Sequence, residues 1–337
     1  MIDAVVIGAG QSGLAAAHAL RQAGRAPVVL EAGPEPVGSW PSYYDSLRLF
    51  SPARYSSLPG MPFPGDPDHY PHRDEVVDYL RRYAKNLAVD LRTGHRVTTV
   101  RRRDNRFTIG IEDGTELTTP IVIAASGAFG QPHRPALPGL DSFTGTVLHA
   151  ADYREPGPFT GQRVVVVGAA NTAVQVGYEL AKVATVTLAT RKPIRFAPQR
   201  PLGRDVHFWS AASGFDHLPI GHLLKNPPRT PVNDDGRYRR AVLEGHPDRR
   251  PLFTAIEGDT VTWLDGTREH VDTILLATGY RAELSYLDQA EHGHRKGIST
   301  AHPGLGYVGL EWQRSFASAT LRGAGRDAHY VVRRLLR

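Results

Sequence analysis

The first 31 residues constrain this chain more than any other stretch. Ala4-Val5-Val6-Ile7 is a short apolar, largely β-branched run, the pattern of a strand buried on both faces of a parallel sheet. It leads directly into Gly8-Ala9-Gly10-Gln11-Ser12-Gly13, with glycines spaced G-x-G-x-x-G. Residues 11–23 then carry the Ala and Leu content of a helix, and Gly24 sits where a C-terminal cap belongs. A second strand, Pro27 to Leu30, ends on Glu31. In such a unit Gly8 allows the tight turn, Gly10 lets backbone approach a pyrophosphate, and Gly13 lets helix and strand pack closely. The helix N-terminus, with Ser12 in its first turn, offers free N–H groups to phosphate oxygens. Glu31 is placed to accept hydrogen bonds from a ribose diol and to repel a 2′-phosphate. A glycine turn can share the spacing, but strand, loop, helix, strand and acid in this order read as dinucleotide binding.

The unit recurs. From Arg163, Val164-Val165-Val166-Val167 is a second buried strand, followed by Gly168-Ala169-Ala170-Asn171-Thr172-Ala173, a helix to about residue 184 and a strand over 185–189. Moving from Gly8 to Gly168 carries Gly10 onto Ala170, Gly13 onto Ala173 and Glu31 onto Arg191. Internal repetition of this kind implies two nucleotide sites in one α/β chain built on two Rossmann-like units. A guanidinium at the end of the second strand can pair with a 2′-phosphate, so the second site is expected to take NADP(H), with Lys192 and Arg195 assisting Arg191. A surface loop arginine is the plainer alternative for Arg191.

Composition sets the outer limits. At 337 residues two domains are expected. There are no cysteines, which removes disulfides, thiolate metal sites and dithiol redox pairs. No metal-ligand cluster stands out. No apolar run reaches a membrane span, and the chain enters a strand at once, so neither membrane nor signal peptide is expected and a cytoplasmic enzyme is the default. The net charge of +6 comes with scattered arginines and no nucleic-acid motif, so a nucleic-acid partner is not expected.

Between the two units, a loop from Pro34 to Trp40 is followed by dense proline and glycine from Pro52 to Pro71, a long irregular excursion of the kind that often carries function. A helix is expected over 74–84. Three meander strands follow over 95–100, 107–111 and 116–125, turning at Asp104-Asn105 and Asp113-Gly114. Residues 198–251 read as loops and short helices, 260–264 and 271–277 as strands, and 327–336 as a final helix with solvent-facing arginines.

Phe143-Thr144-Gly145-Thr146-Val147-Leu148-His149-Ala150-Ala151-Asp152-Tyr153 follows the pattern F-x-G-x-x-x-H-x-x-x-Y, and Leu276-Ala277-Thr278-Gly279-Tyr280 closes the second unit. With the two glycine loops, these motifs make the chain resemble the flavin-containing monooxygenase superfamily, in its compact bacterial branch. Tyr153, where Baeyer–Villiger enzymes usually have Trp, resembles the heteroatom-oxidising members.

That resemblance implies a discontinuous FAD domain over 1–130 and 281–337, with an NADPH domain over 131–280 carrying the inserted loops 198–251. Ser39 and Trp40 match contacts to FAD, and Val97 a backbone contact near the adenine. Asn171 and Thr172 match contacts to the NADP pyrophosphate. A helix N-terminus from the stretch 313–323 is expected near the flavin O2. Phe50, Ser51, His149, Tyr153 and Gln313 are the flavin-proximal candidates. The implied chemistry is reduction of FAD by NADPH, addition of O2 to give a C4a-hydroperoxyflavin, and oxygen transfer to a small soft nucleophile at N, S or a metalloid.

Two residues depart from the pattern: Ala170 puts a methyl where backbone should meet phosphate, and Phe50 stands where animal flavin monooxygenases have Asn. The alternatives are an NADPH-dependent flavin reductase or oxidase, and a nucleotide-sensing regulator. The oligomeric state is left open, a homodimer included.

Overall fold

The computed structural model describes residues 2–224, 228, 230–288 and 292–337. Two sheets organise it, the second parallel throughout and the first parallel except where Ile298–Ser299 and His294–Arg295 join its edge antiparallel. In the first, the fully buried strand Ala4–Ile7 lies between Pro27–Leu30 and Val122–Ala124. The sheet extends through Asp90–Arg92 on one side and through Leu305–Tyr307, Ile298–Ser299 and His294–Arg295 on the other. The last three strands come from the far end of the chain, so that end returns to the first sheet. In the second sheet, Arg163–Val167 lies between Thr185–Thr190 and Thr273–Leu276, flanked by Asp248–Pro251 and Thr146–His149, all parallel. Each apolar side chain buried in these sheets contributes roughly 1.5–3 kcal/mol, which is why uninterrupted Val and Ile runs form their centres.

The opening helix is Gln11–Gln22 and its second-unit counterpart Asn171–Leu180. The latter stops short of residue 184. The expected third meander strand is in fact two strands. Glu116–Thr119 pairs antiparallel with Arg106–Ile111, whereas Val122–Ala124 belongs to the parallel sheet. Pro120, which has no N–H to offer a ladder, separates them. The first meander strand is Val97–Arg103, three residues longer at its end than the expected 95–100.

The segment 198–251 is more than loops. It contributes Asp248–Pro251 to the edge of the second sheet, and its Val232–Asp234 pairs with Phe196–Pro198. The helix after the excursion is Arg73–Leu87. The final helix is Leu321–Leu335, beginning well before residue 327. Gly323 and Gly325 lower its apparent helix propensity but are needed for close packing. A Cβ at Gly323 would lie 1.9 Å from the Ala317 carbonyl oxygen, and one at Gly325 would lie 2.2 Å from Pro59 Cγ. Arg333 and Arg334 of this helix are exposed, while Arg322 turns inward to Asp216. No helix among the described residues is long and apolar enough to cross a membrane.

Candidate active site

The starts of the two nucleotide-unit helices differ from those of the two longest helices. The N-caps of Gln11–Gln22 and Asn171–Leu180 are Gly10 and Ala170; neither helix has a side-chain cap or an acid in its first turn. By contrast, Arg73–Leu87 has Asp74 and Glu75 in its first turn, with Glu75 accepting from the His72 N–H at 2.7 Å. The final helix is capped by Thr320. A side-chain cap contributes about 1 kcal/mol, so two bare helix starts leave N–H groups and dipole available to phosphate oxygens.

The glycines around the first helix start have distinct local causes. Gly8 has φ +98°, and a Cβ there would meet the Ala125 carbonyl oxygen at 2.7 Å. At Gly13 a Cβ would fall 1.8 Å from the Gly8 oxygen, so helix and strand touch through this position. Gly10 is different: its backbone (φ −73°, ψ −174°) suits any residue, and a Cβ would meet only Gly38 Cα, at 3.7 Å. What its missing side chain preserves is space in front of the helix. Ala170 has nearly the same backbone, φ −102° and ψ −176°.

Around this space the expected residues gather. Glu31 is buried; its two carboxylate oxygens accept from Ala9 N–H at 2.6 Å and Gly33 N–H at 2.8 Å, hooking the strand end over the glycine loop. Ser12 is buried beneath Gly309, whose Cβ would come 2.3 Å from Ser12 Oγ. Ser39 precedes the short turn Trp40–Ser42, and Trp40 Nε1 donates to Gln11 Oε1 at 2.8 Å. Gln11 Nε2 also donates to the Ala319 carbonyl at 3.4 Å, one residue before the final helix's cap, so that helix start does approach the loop. Val97 opens a meander strand two residues after His95, whose N–H donates to the Glu31 carbonyl at 2.8 Å, and it packs against the core that contains Val28 and Leu30.

At the second unit Thr172 lies in the uncapped first turn, and Asn171 Oδ1 accepts from Asn233 N–H at 3.1 Å, tying the inserted strand to the helix start. Gly168 has φ +153°, with the Ala277 oxygen 2.5 Å from its would-be Cβ. Arg191 and Lys192 are exposed. The numerical match of Glu31 to Arg191 needs correction. Ile7 pairs with Leu30, but Val167 pairs with Ala189. The Gly8 and Gly168 N–H groups likewise donate to Leu30 and Ala189. The second crossover is one residue shorter, so the register counterpart of Glu31 is Thr190, and Arg191 lies one residue beyond.

The excursion lies across both units. Tyr44 OH donates to Gln175 Oε1 at 2.6 Å and Ser46 Oγ to Glu179 Oε2 at 2.9 Å, both on the second helix. Tyr153, among the flavin-proximal candidates, is buried against Tyr44 and donates to the same Glu179 oxygen at 3.0 Å. His149 is fully buried. Its Nδ1 accepts from Ala151 N–H at 3.1 Å and its Nε2 donates to the Gly279 carbonyl at 3.1 Å. Burial, with the nearby Arg134 charge, lowers its pKa, so the ring is neutral. Both ring nitrogens are therefore engaged. His149 braces the joint where the chain returns through Thr278-Gly279-Tyr280, meeting Tyr280 edge-on, while Tyr153 packs on Tyr44 and Phe159 and is tied to the second helix through Glu179.

Phe50 is half-buried, its carbonyl accepting from Gln199 Nε2 at 2.9 Å; Ser51 Oγ lies 2.9 Å from Ser56 Oγ. Gln313 is buried, its Oε1 accepting from Leu310 N–H at 3.3 Å while its Nε2 has no partner among the described residues.

One cluster at this seam escaped the sequence reading. Asp205 accepts from Tyr70 OH at 2.5 Å, from Gln199 Nε2 at 2.7 Å and from His207 Nδ1 at 2.7 Å. Burial alone would raise its pKa, but the hydrogen bonds from His207, Tyr70 and Gln199 outweigh burial and hold it at about 2. Asp205-x-His207 was visible only as isolated polar residues within an insertion; no spacing links it to Tyr70. Among the described residues no group of three His, Cys, Asp or Glu side chains forms a metal site.

Comparisons with known proteins agree with this geometry. The model of the pyridine nucleotide-disulphide oxidoreductase family matches residues 5–206. The chain is 29% identical over 348 residues to an uncharacterized CzcO-like oxidoreductase of Geobacillus kaustophilus, covering 100% of this chain and 99% of that protein. It is 30% identical over 369 residues to indole-3-pyruvate monooxygenase YUCCA1 of Oryza sativa, covering 98% and 90%. The structure of a flavin-containing monooxygenase from Stenotrophomonas maltophilia aligns with a TM-score of 0.87 and 31% identity, over 99% of this chain and 98% of that one. The chain thus belongs to the pyridine nucleotide-disulphide oxidoreductase family, and within it is a flavin-containing monooxygenase-like oxidoreductase.

Proposed function

We propose that the protein is an FAD- and NADPH-dependent monooxygenase that places one oxygen atom of O2 on a small soft nucleophile, at nitrogen, sulfur or a metalloid. The observation that carries this reading is the single strap of residues 39–51, which touches both nucleotide helices. Trp40 bonds Gln11 on the first, and Tyr44 and Ser46 bond Gln175 and Glu179 on the second.

FAD held at Gly8, Gly10, Ser12, Gly13, Glu31, Ser39 and Trp40 would supply the redox and oxygen chemistry when bound. The chain's own work is placement. The bare N-terminus of Gln11–Gln22 receives one pyrophosphate, and that of Asn171–Leu180 the other, with Arg191 and Lys192 beyond it. Thr320 caps the final helix beside the first loop, so that helix's positive end would favour negative charge on a flavin bound there. The strap and the aromatic contacts Tyr43–Phe129 and Phe129–Tyr280 exclude water from the seam. The substrate is read as a small molecule, in a cytoplasmic setting, with no membrane or nucleic-acid partner.

One observation favours a second reading, an NADPH-dependent flavin reductase or oxidase. Phe50 offers a hydrocarbon ring and no donor at the seam. Turnover under ¹⁸O2 with a thioether, a tertiary amine and arsenite separates the two. The monooxygenase reading expects one labelled oxygen in a product, in step with NADPH consumed. Recovery of all reducing equivalents as peroxide with every substrate would establish the oxidase reading instead.

A further inference from the structure

The register correction at the second unit leads to an arginine far away in sequence. Thr190 occupies the place of Glu31 by two criteria. Strand pairing makes Ala189, opposite Val167, the equivalent of Leu30, opposite Ile7, and side-chain alternation sets Thr190 on the helix-facing side with Leu188, as Glu31 follows Val29. Thr190 is only 2% exposed, and its Oγ1 accepts from Arg249 Nε at 2.8 Å. Arg249 belongs to the outer strand Asp248–Pro251, where it pairs with Leu188.

The equivalent outer position in the first unit is Leu91, which pairs with Val29 and packs against the apolar core there. The second unit therefore holds a half-buried guanidinium where its sister holds a leucine. Among the described residues no carboxylate pairs with Arg249; its neighbour Arg250, facing the other way, takes Asp248 at 2.9 Å. A half-buried, unpaired cation is costly unless something anionic completes it.

We propose that Arg249, oriented by Thr190, is a specificity-determining residue of the second site that grips the 2′-phosphate of NADP(H), with Arg191 as its exposed outer partner. This rests on the NADPH reading above. Where Glu31 offers acceptors to a ribose diol, Thr190 and Arg249 offer donors to a phosphate ester. The remaining guanidinium N–H groups of Arg249 supply the fork geometry that such an ester prefers.

Calorimetric titration of the flavin-loaded protein with NADP⁺ and with NAD⁺ tests this without turnover. Wild type is expected to bind NADP⁺ more tightly. Arg249→Gln, which keeps a neutral donor near Thr190, is expected to lose roughly ten- to a hundred-fold of NADP⁺ affinity while NAD⁺ affinity stays within about two-fold. Arg249→Lys is expected to recover part of the loss, and Thr190→Ala to show a smaller loss confined to NADP⁺. A parallel fall for both coenzymes, or no change for either, overturns the role of Arg249 while leaving the NADPH reading intact. Wild type binding both coenzymes equally overturns that reading and this inference together.

Discussion

The two nucleotide units share strand, loop and helix, yet differ at the three positions that define what each can hold. The first has Gly10, Gly13 and Glu31; the second has Ala170, Ala173 and, by register, Thr190. The backbone at Gly10 and Ala170 is alike, so the first difference concerns only the space before the helix. At Gly13 the cause is steric: helix and strand approach too closely for a methyl, whereas Ala173 fits fully buried. At the strand end the difference is electrostatic, an acceptor pair against donors. One scaffold is thus adjusted by packing, by clearance and by charge at three separate residues.

The largest effect should come from breaking the packing difference. Gly13→Ala drives a methyl to 1.8 Å from the Gly8 oxygen, and should destabilise the protein by at least roughly 1–3 kcal/mol. Ala173→Gly should cost only about 0.5–1 kcal/mol, the helix penalty of glycine. Urea unfolding midpoints measure both. Equal losses would mean the two units are packed alike.

Clearance is tested by Gly10→Val. Because the backbone there accepts a side chain, the circular dichroism spectrum should be unchanged while the purified protein loses its flavin absorbance. A variant that keeps full flavin would remove Gly10 from the pyrophosphate contact. In the second unit Ala170→Gly is the converse change and should tighten NADPH and NADH binding together.

The charge difference is sharpened by comparing Thr190→Glu with Arg191→Glu. A carboxylate at the register-matched position repels a 2′-phosphate and engages Arg249, so Thr190→Glu should lower NADPH efficiency by roughly ten- to a hundred-fold. Arg191→Glu should shift preference toward NADH in the same sense but less. If the order of the two is reversed, the numerical match outranks the strand register.

A last effect, read from the pH dependence of stability, concerns the seam that holds the units together. Asp205, bonded to Tyr70 and His207, has its pKa lowered from 3.8 to about 2. A carboxyl whose folded pKa is depressed contributes stability above its unfolded pKa, and that contribution is lost as pH falls through the folded one. Between about pH 4 and pH 2, wild type should therefore lose stability more steeply than Asp205→Asn, in paired urea titrations. Parallel curves would show that the carboxylate charge contributes nothing at this joint.

Much of the frame was legible because it rests on local patterns. The strand Pro27–Leu30 and the start of Gln11–Gln22 fall where the apolar run and glycine spacing put them. Those signals are short-range: β-branched runs for buried strands, glycine where the chain turns or packs tightly. The misplaced boundaries have equally local causes. Pro120 divides a continuous-looking strand, and Gly323 and Gly325 disguise a helix start whose reason is contact with Ala317 and Pro59.

The site divides along the same line. The sequence by itself determined that there are two nucleotide units, that the first ends in an acid, and that dithiol chemistry is closed to a cysteine-free chain. Only the tertiary structure decided which residue takes the place of Glu31 at the second unit, because a crossover one residue shorter moves the register without altering any motif. It also showed His149 and Tyr153 to be internal braces, and it joined Asp205 to Tyr70 and Thr190 to Arg249. Hydrogen-bond partners separated by 59 residues or by 135 residues leave no periodicity to read. Arg249 meets Thr190 because their strands are neighbours in one parallel sheet, and Tyr70 meets Asp205 because the excursion lies against the inserted segment, both of them contacts made by packing and not by local sequence.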